Sequence, residues 1–275
     1  MTLVLKLLLA PMLVVASSAA GRRWGPQVSG VLVALPIVAG PILLITCLDH
    51  GPAFGARAAA SALLGLVSLL LFVVVFGHAG RRLRWPAALV VSWAACLAAD
   101  AALARLAVPP LAGAALVLAA AWLAARALPR DETPTPRHDA GTVRTAAAAL
   151  PPAPARANPW WDLPARAVAT AVLVLVVTWA SAAIGPAATG VLAPFPIATS
   201  VVAAFALARD GSAGAVRMLR GVPGGLVGFA VFCLMVALLV ERLGTYGAFG
   251  LALLVTLIAQ LATLYAIARY RPAPA

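Results

Sequence analysis

Apolar stretches of about twenty residues recur along the chain, and they limit its fold more than any other feature, because a helix of that length spans the hydrocarbon core of a bilayer. Backbone groups inside hydrocarbon must hydrogen-bond to one another, so these stretches predict membrane helices. Charged residues make up 10% of the chain, whereas about 25% is usual in soluble domains. The sequence therefore predicts an all-α, polytopic membrane helix bundle.

The chain also matches itself when it is shifted by 160 residues. GPQVSGVLVALPI from residue 25 falls on GPAATGVLAPFPI from residue 185, and 14 of 51 aligned positions are identical. The informative identities are glycines and prolines, because these residues impose special backbone geometry. Residues 1–107 and 162–270 are therefore predicted to be two copies of one four-span unit.

Nine membrane spans are predicted, and five of them, an odd number, precede the second copy. The two copies therefore cross the membrane in opposite senses, as in inverted-repeat transporters. The nine spans lie near residues 2–20, 26–48, 54–77, 84–106, 108–127, 163–182, 186–208, 213–240 and 245–268. An eight-span alternative, which omits 108–127, divides the basic residues less unequally between the two membrane faces and is therefore less favoured.

The basic residues predict the orientation of these spans. Of the 20 Lys and Arg residues, only Lys6, Arg57, Arg105 and Arg242 fall on one face of the nine-span arrangement. The opposite, more basic face is expected to be cytoplasmic. We therefore expect a protein of the bacterial inner membrane with its N-terminus outside and its C-terminus in the cytoplasm.

The domain organisation follows from the repeat. Residues 1–127 hold the first copy and an extra fifth span, 128–161 form a cytoplasmic linker, and 162–275 hold the second copy. The linker is rich in proline, alanine and charge, and is predicted to be disordered. Asp162 follows it and can cap the sixth span.

The first span resembles a signal peptide, but its counterpart at 163–182 favours a retained helix.

Prolines interrupt the second and the seventh span at corresponding places. Interrupted helices in two matching halves predict a transporter site near the middle of the membrane. The alternative is a pair of kinked helices that pack tightly through glycine. Neighbouring hydroxyls can satisfy the freed carbonyls or contact a ligand. The candidate pathway residues from these segments are Ser29, Pro36, Gly40, Pro41, Thr189, Pro194 and Pro196.

Four further candidates are polar residues at matching positions of the two copies. Asp100 and its counterpart Gln260 lie within predicted spans, where a carboxylate is costly and indicates function; the alternative is that Asp100 pairs with Arg105 near the outer end. Arg57 and Arg217 would lie at opposite membrane faces. They could receive an anionic substrate, or their side chains could reach to headgroups.

Other function classes are disfavoured by the sequence. The net charge is +12, and the basic residues that produce it lie between apolar stretches. This placement favours a role in membrane orientation over nucleic-acid binding. The three cysteines form no metal-binding motif, and no catalytic motif or cofactor signature occurs. We therefore expect no enzyme activity, no metal and no cofactor. The prediction is a small transporter or flippase for a small or lipidic substrate, with an anion as one alternative.

The alternative is a membrane scaffold or regulatory subunit that binds another membrane protein. In both cases the lipid bilayer is the first partner, and association with a second copy of the chain is a further alternative.

Four segments carry a resemblance to a known family: LVLKLLLAPMLVV, SGVLVALPI, DHGPAFGARAAA and RLRWPAALVVSW. With Lys6 in the first of them, the chain resembles the GlpM-like family of small bacterial membrane proteins and the related DUF3147 group. Such proteins usually have one four-span unit, which implies a fused tandem pair here, with antiparallel pairing of the single-copy relatives. The resemblance implies no catalytic or binding residue.

Overall fold

The computed structural model describes residues 2–36, 39–106, 108–129, 161–184 and 195–269. These residues form nine helices and no strand. In chain order the helices are α1 (Thr2–Trp24), α2 (Pro26–Val33), α3 (Ala39–His50), α4 (Pro52–Ala79), α5 (Trp85–Leu103), α6 (Pro110–Ala127), α7 (Asp162–Ile184), α8 (Ile197–Leu219) and α9 (Val222–Arg269). The prediction of an all-α protein is confirmed for this part of the chain.

Four of the described helices are long and apolar enough to cross a membrane. They are α4, α5, α6 and the part of α9 from 222 to 262. More than half of the apolar segment of α4 is buried by other helices, whereas α5 and α6 are buried over 28% of theirs. Large apolar side chains such as Val90 and Leu118 are exposed on these outer helices, as expected for surfaces that face lipid.

Glycines in the left-handed region of backbone conformation mark the breaks between helices. Gly51 (φ +88°) separates α3 from α4, and Gly211 (φ +71°) kinks α8 at the position 160 residues later. Gly25 and Gly244 have the same type of conformation. A glycine adopts this conformation at little cost and commonly follows the last residue of a helix. One pair of these breaks, at Gly51 and Gly211, therefore has the 160-residue spacing of the sequence repeat.

The second predicted span is divided into α2 and α3, as its prolines suggested. Turn residues 34–36 follow α2, and Pro36 is buried there. Pro41 lies in the first turn of α3, where a backbone N–H has no helical partner in any case. The break therefore lies around Pro36, and Pro41 fits the start of the next helix.

The centre of the bundle is formed by α4 and the first half of α9, which pack against each other. Leu63, Leu70 and Phe76 of α4 and Leu226 and Val236 of α9 are almost fully buried. The extra helix α6 packs on both of these helices. Its Gly113 allows Leu63 to approach closely, because a Cβ atom at that glycine would lie 3.4 Å from the Leu63 side chain.

Backbone segments from the two parts of the chain meet closely between α2 and the start of α9. A Cβ atom at Gly30 would clash with the Met218 carbonyl oxygen and would lie 3.0 Å from the Cα atom of Gly221. A Cβ atom at Gly221 would in turn clash with the carbonyl of Gln27. Glycines at helix contacts of this kind allow backbones to pack directly on one another.

Some predictions fall on residues that the structure does not describe. They include most of the linker (130–160) and the start of the seventh predicted span (185–194), with Thr189 and Pro194. The nine spans, the division into two copies and their inverted arrangement stay predictions.

The close approach of α2 and α9 predicts that Gly30→Ala destabilises the fold. The added methyl group has no room beside the Met218 carbonyl, and overpacking of this kind costs about 1–3 kcal/mol. Gly250→Ala is the matched control, because nothing lies within 4 Å of a Cβ atom there. Thermal unfolding in detergent should show a lower midpoint for Gly30→Ala and an unchanged or slightly higher one for Gly250→Ala. Equal midpoints for the two variants would contradict the described contact.

Candidate functional site

The described members of the first proline segment are buried among other helices. Pro36 and Gly40 are buried, and a Cβ atom at Gly40 would lie 3.5 Å from the ring of Phe232 in α9. Ser29 is also buried, and its hydroxyl finds no hydrogen-bond partner among the described residues. The segment therefore has a protein environment, as an interrupted membrane helix requires.

The described part of the second proline segment lies against α5. Pro196 is buried and precedes α8. The Trp93 indole Nε1 donates a hydrogen bond of 2.8 Å to the Ser200 hydroxyl, and the Trp93 ring lies 5.4 Å from that of Phe195. This pairing gives the buried Ser200 side chain a polar partner inside an otherwise apolar contact.

Asp100 is buried between α5 and α4. The Cys96 thiol lies 3.9 Å from the Asp100 carboxylate one helical turn away. The Ser68 hydroxyl of α4 faces the same carboxylate but is not aligned for a hydrogen bond. Arg105, the alternative partner, is exposed.

Gln260, the counterpart of Asp100 in the sequence repeat, is also buried between two helical segments, which are here the two parts of α9. Its Nε2 donates a hydrogen bond of 2.7 Å to the Gly225 carbonyl, and the Thr256 hydroxyl donates one of 3.5 Å to the Gly228 carbonyl. Gly228 faces Gln260 so closely that a Cβ atom would clash with its amide. Asp100 and Gln260 therefore each pack within their own pair of helical segments.

Arg57 and Arg217 are both exposed. The guanidinium of Arg57 lies 6.0 Å from the centre of the Phe54 ring. A half-open cavity of about 540 Å³ lies at the turn after α4 and is lined by His78, Ala79, Arg81 and Arg82. None of the described pathway residues lines it.

A cluster of four charged side chains joins α1, α7 and α8, and we call it the Asp162 cluster: Asp162, Arg22, Arg166 and Arg209. Arg166 Nε lies 3.0 Å from Asp162 Oδ2, and Arg209 Nη1 lies 2.6 Å from Asp162 Oδ1. Arg22 also donates a hydrogen bond to Asp162 Oδ2. Both carboxylate oxygens therefore accept charge-assisted hydrogen bonds from different helices.

The Asp162 carboxylate is completely buried by these partners. Asp162 precedes the apolar stretch that begins at residue 163. Burial alone would raise the pKa of this carboxyl, but hydrogen bonds from Arg166, Arg209 and Arg22 outweigh that effect and lower its pKa. The carboxylate is therefore ionised at neutral pH and connects the end of α1, the start of α7 and the kink of α8.

Arg166 is held by further contacts on both sides. Its Nη1 lies 3.5 Å from the Ser18 hydroxyl of α1, and its guanidinium lies 4.8 Å from the centre of the Phe205 ring of α8. Because Arg166 and Asp162 are one turn apart on α7, they form a pair that reaches both neighbouring helices.

The sequence reasoning missed this cluster, because it assigned Asp162 to helix capping alone. A signal was present: Asp162 and Arg166 are spaced by four residues, and the predicted topology places Arg22 and Arg209 on the same membrane face as both. An acidic residue at the start of a span, beside several arginines predicted at the same face, indicates ion pairing between helices.

Comparison of the chain with models of protein families, with characterised proteins and with solved structures found no match.

The Asp162 cluster predicts that Asp162→Asn is strongly destabilising. Breaking a buried ion pair leaves charges without a partner, and we expect a loss of about 3 kcal/mol because Arg22 and Arg209 are partly exposed. Asp49→Asn is the control, because Asp49 is exposed on α3. Unfolding in mixed micelles containing dodecyl sulfate measures both changes. A loss for Asp162→Asn no larger than that for Asp49→Asn would contradict the described contacts.

Acid should destabilise the wild type for the same reason, because protonation removes the charge of Asp162. The pKa of Asp162 is lower in the folded chain than its ordinary value of 3.8. Its contribution is therefore complete above that value and is lost as the pH falls below it. The Asp162→Asn variant should lack this part of the pH dependence.

Proposed function

We propose that this chain is an inner-membrane transporter or flippase built from two inverted copies of one four-helix unit, with the extra helix α6 between them. The single observation that carries the proposal is the direction of α7 relative to α1. Ser18 and Arg22, near the end of α1, contact Arg166 and Asp162, at the start of α7. In the sequence repeat α7 is the counterpart of α1.

Antiparallel packing of two counterpart helices is what an inverted pair requires. The contact between α4 and α9 supports the same arrangement. A Cβ atom at Gly77, near the end of α4, would lie 3.8 Å from Leu219, just before α9 begins. In both helix pairs, the two ends that meet are both predicted to be cytoplasmic. These contacts support the opposite directions of the two copies in the nine-span topology; the outside position of the N-terminus is proposed from the basic residues.

The interrupted helix supports a pathway at the contact between the two copies. The break at Pro36 lies next to α9, and α2 packs against α8, which begins directly after Pro196. Interrupted helices buried in protein at such a boundary are typical of transporter sites. The substrate we propose is a small or lipidic anion, since basic side chains dominate one face.

A second candidate is a scaffold or regulatory subunit that binds another membrane protein. The close backbone contact between Gly30 and Gly221 favours it, because a tightly filled contact leaves no passage there. The resemblance to the GlpM-like family is compatible with both candidates.

Flux through proteoliposomes distinguishes the two candidates. The purified chain is tested with two probes, a fluorescent phospholipid whose exchange between leaflets is followed with dithionite, and entrapped radiolabelled phosphate. Transport of either probe above protein-free liposomes supports the transporter. In Pro36→Ala/Pro196→Ala the restored helical hydrogen bonds should close the break, and flux should fall to the protein-free level.

Pro86→Ala is the matched control, because Pro86 is exposed at the start of α5, where proline is tolerated. It should insert and transport like the wild type. No flux of either probe, together with a membrane protein that co-purifies at fixed stoichiometry, would favour the scaffold. Unchanged flux in the double proline variant would contradict the proposed pathway.

A further inference from the structure

The Asp162 cluster holds more positive charge than its carboxylate neutralises. Three guanidinium groups surround one carboxylate, which leaves a surplus of two positive charges. Arginine remains protonated in proteins, so deprotonation does not remove this surplus. The N-terminus of α7 adds partial positive charge at the same place, because Asp162 is its first residue.

The surplus charge is largely enclosed by the protein. The side chains of Arg166 and Arg209 are 10% and 18% exposed, and that of Asp162 is fully buried. Like charges held close together away from water repel strongly. An anion bound beside Asp162 would remove this repulsion, so the cluster favours one.

The groups that can hold such an anion are Arg22 and Arg209. In the described contacts each of them uses one N–H group on Asp162, whereas a guanidinium has five. Arg166 is more fully used, by Asp162 and Ser18. Arg22 and Arg209 are also more exposed than Arg166, at 30% and 18% of their side chains, so their remaining donors are accessible from outside.

The counterpart positions in the first copy do not carry the same surplus. At the positions 160 residues before Asp162, Arg166 and Arg209 the chain has Thr2, Lys6 and Asp49. That set contains one basic and one acidic residue, so its charges balance. The surplus at Asp162 is therefore not a by-product of the repeat.

The surroundings of the cluster indicate the chemistry of the anion. Exposed tryptophans, Trp24 and Trp161, flank Arg22 and Asp162 in the sequence, and tryptophan is typical of the membrane interface, where headgroup phosphates lie. Paired guanidinium groups match the geometry of phosphate oxygens. We propose that Arg22 and Arg209, positioned by Asp162 and Arg166, bind the phosphate group of a lipid headgroup or of a soluble phosphate.

This binding does not depend on whether the chain transports, and its test is a binding measurement. The full chain is purified in maltoside micelles, which contain no phosphate, and its thermal midpoint is followed at constant ionic strength. One arm adds sodium phosphate in exchange for chloride, and the other adds phosphatidylglycerol. The wild-type midpoint should rise in at least one arm. A rise with phosphatidylglycerol alone identifies a headgroup site, and a rise with phosphate alone identifies a soluble ligand.

Variants then locate the site. Arg22→Gln and Arg209→Gln should each weaken the apparent affinity about tenfold, as expected for the loss of a charge-assisted contact. Arg23→Gln is the matched control, because Arg23 is the exposed neighbour of Arg22 and stacks on Trp24; it should bind like the wild type. The proposal is overturned if the wild type shows no rise in either arm, or if Arg23→Gln loses as much affinity as the two cluster variants. If one cluster variant does not fold, the other still locates the site, and unchanged affinity in a folded cluster variant also overturns the proposal.

Discussion

A single buried carboxylate connects the two parts of this chain. Asp162 accepts hydrogen bonds from α1, from its own helix and from α8, and none of its surface reaches solvent. A charge in such a place is stable only when it is fully paired. Its contacts bring the end of α1, the start of α7 and the kink of α8 together, which is consistent with the antiparallel packing of α1 and α7.

Glycine determines how closely the rest of the bundle packs around this connection. In a membrane the hydrophobic effect does not hold helices together, so close contact and polar pairing have to do so. Gly30 and Gly221 bring two backbones into direct contact, and Gly228 makes room for Gln260. At Gly51 and Gly211 the same residue type ends or kinks a helix by adopting a positive φ. Among these glycines, Gly30, Gly51 and Gly211 lie at positions where both copies have glycine, and a side chain would disturb the backbone at each of them.

Helix content and the break at Pro36 could be predicted from the sequence, because apolar length and proline act locally. The Asp162 cluster could not be predicted in the same way. Its residues are up to 187 positions apart, between Arg22 and Arg209, and only the packing of α1, α7 and α8 shows that they meet. Sequence reasoning also selected Arg57 and Arg217 as anion receivers from their matching positions, although both are exposed and the arginines gathered in the fold are others.

The most direct test is to determine the membrane face at which the first copy begins and the face at which the linker lies. Single cysteines are placed at Thr2 and Arg144 in a variant whose native cysteines, Cys47, Cys96 and Cys233, are replaced by alanine. Labelling with an impermeant maleimide is compared between right-side-out and inverted vesicles. We predict that residue 2 reacts from outside and residue 144 from the cytoplasmic side. Reaction of both from the same side would show that the copies are parallel and would contradict the inverted arrangement.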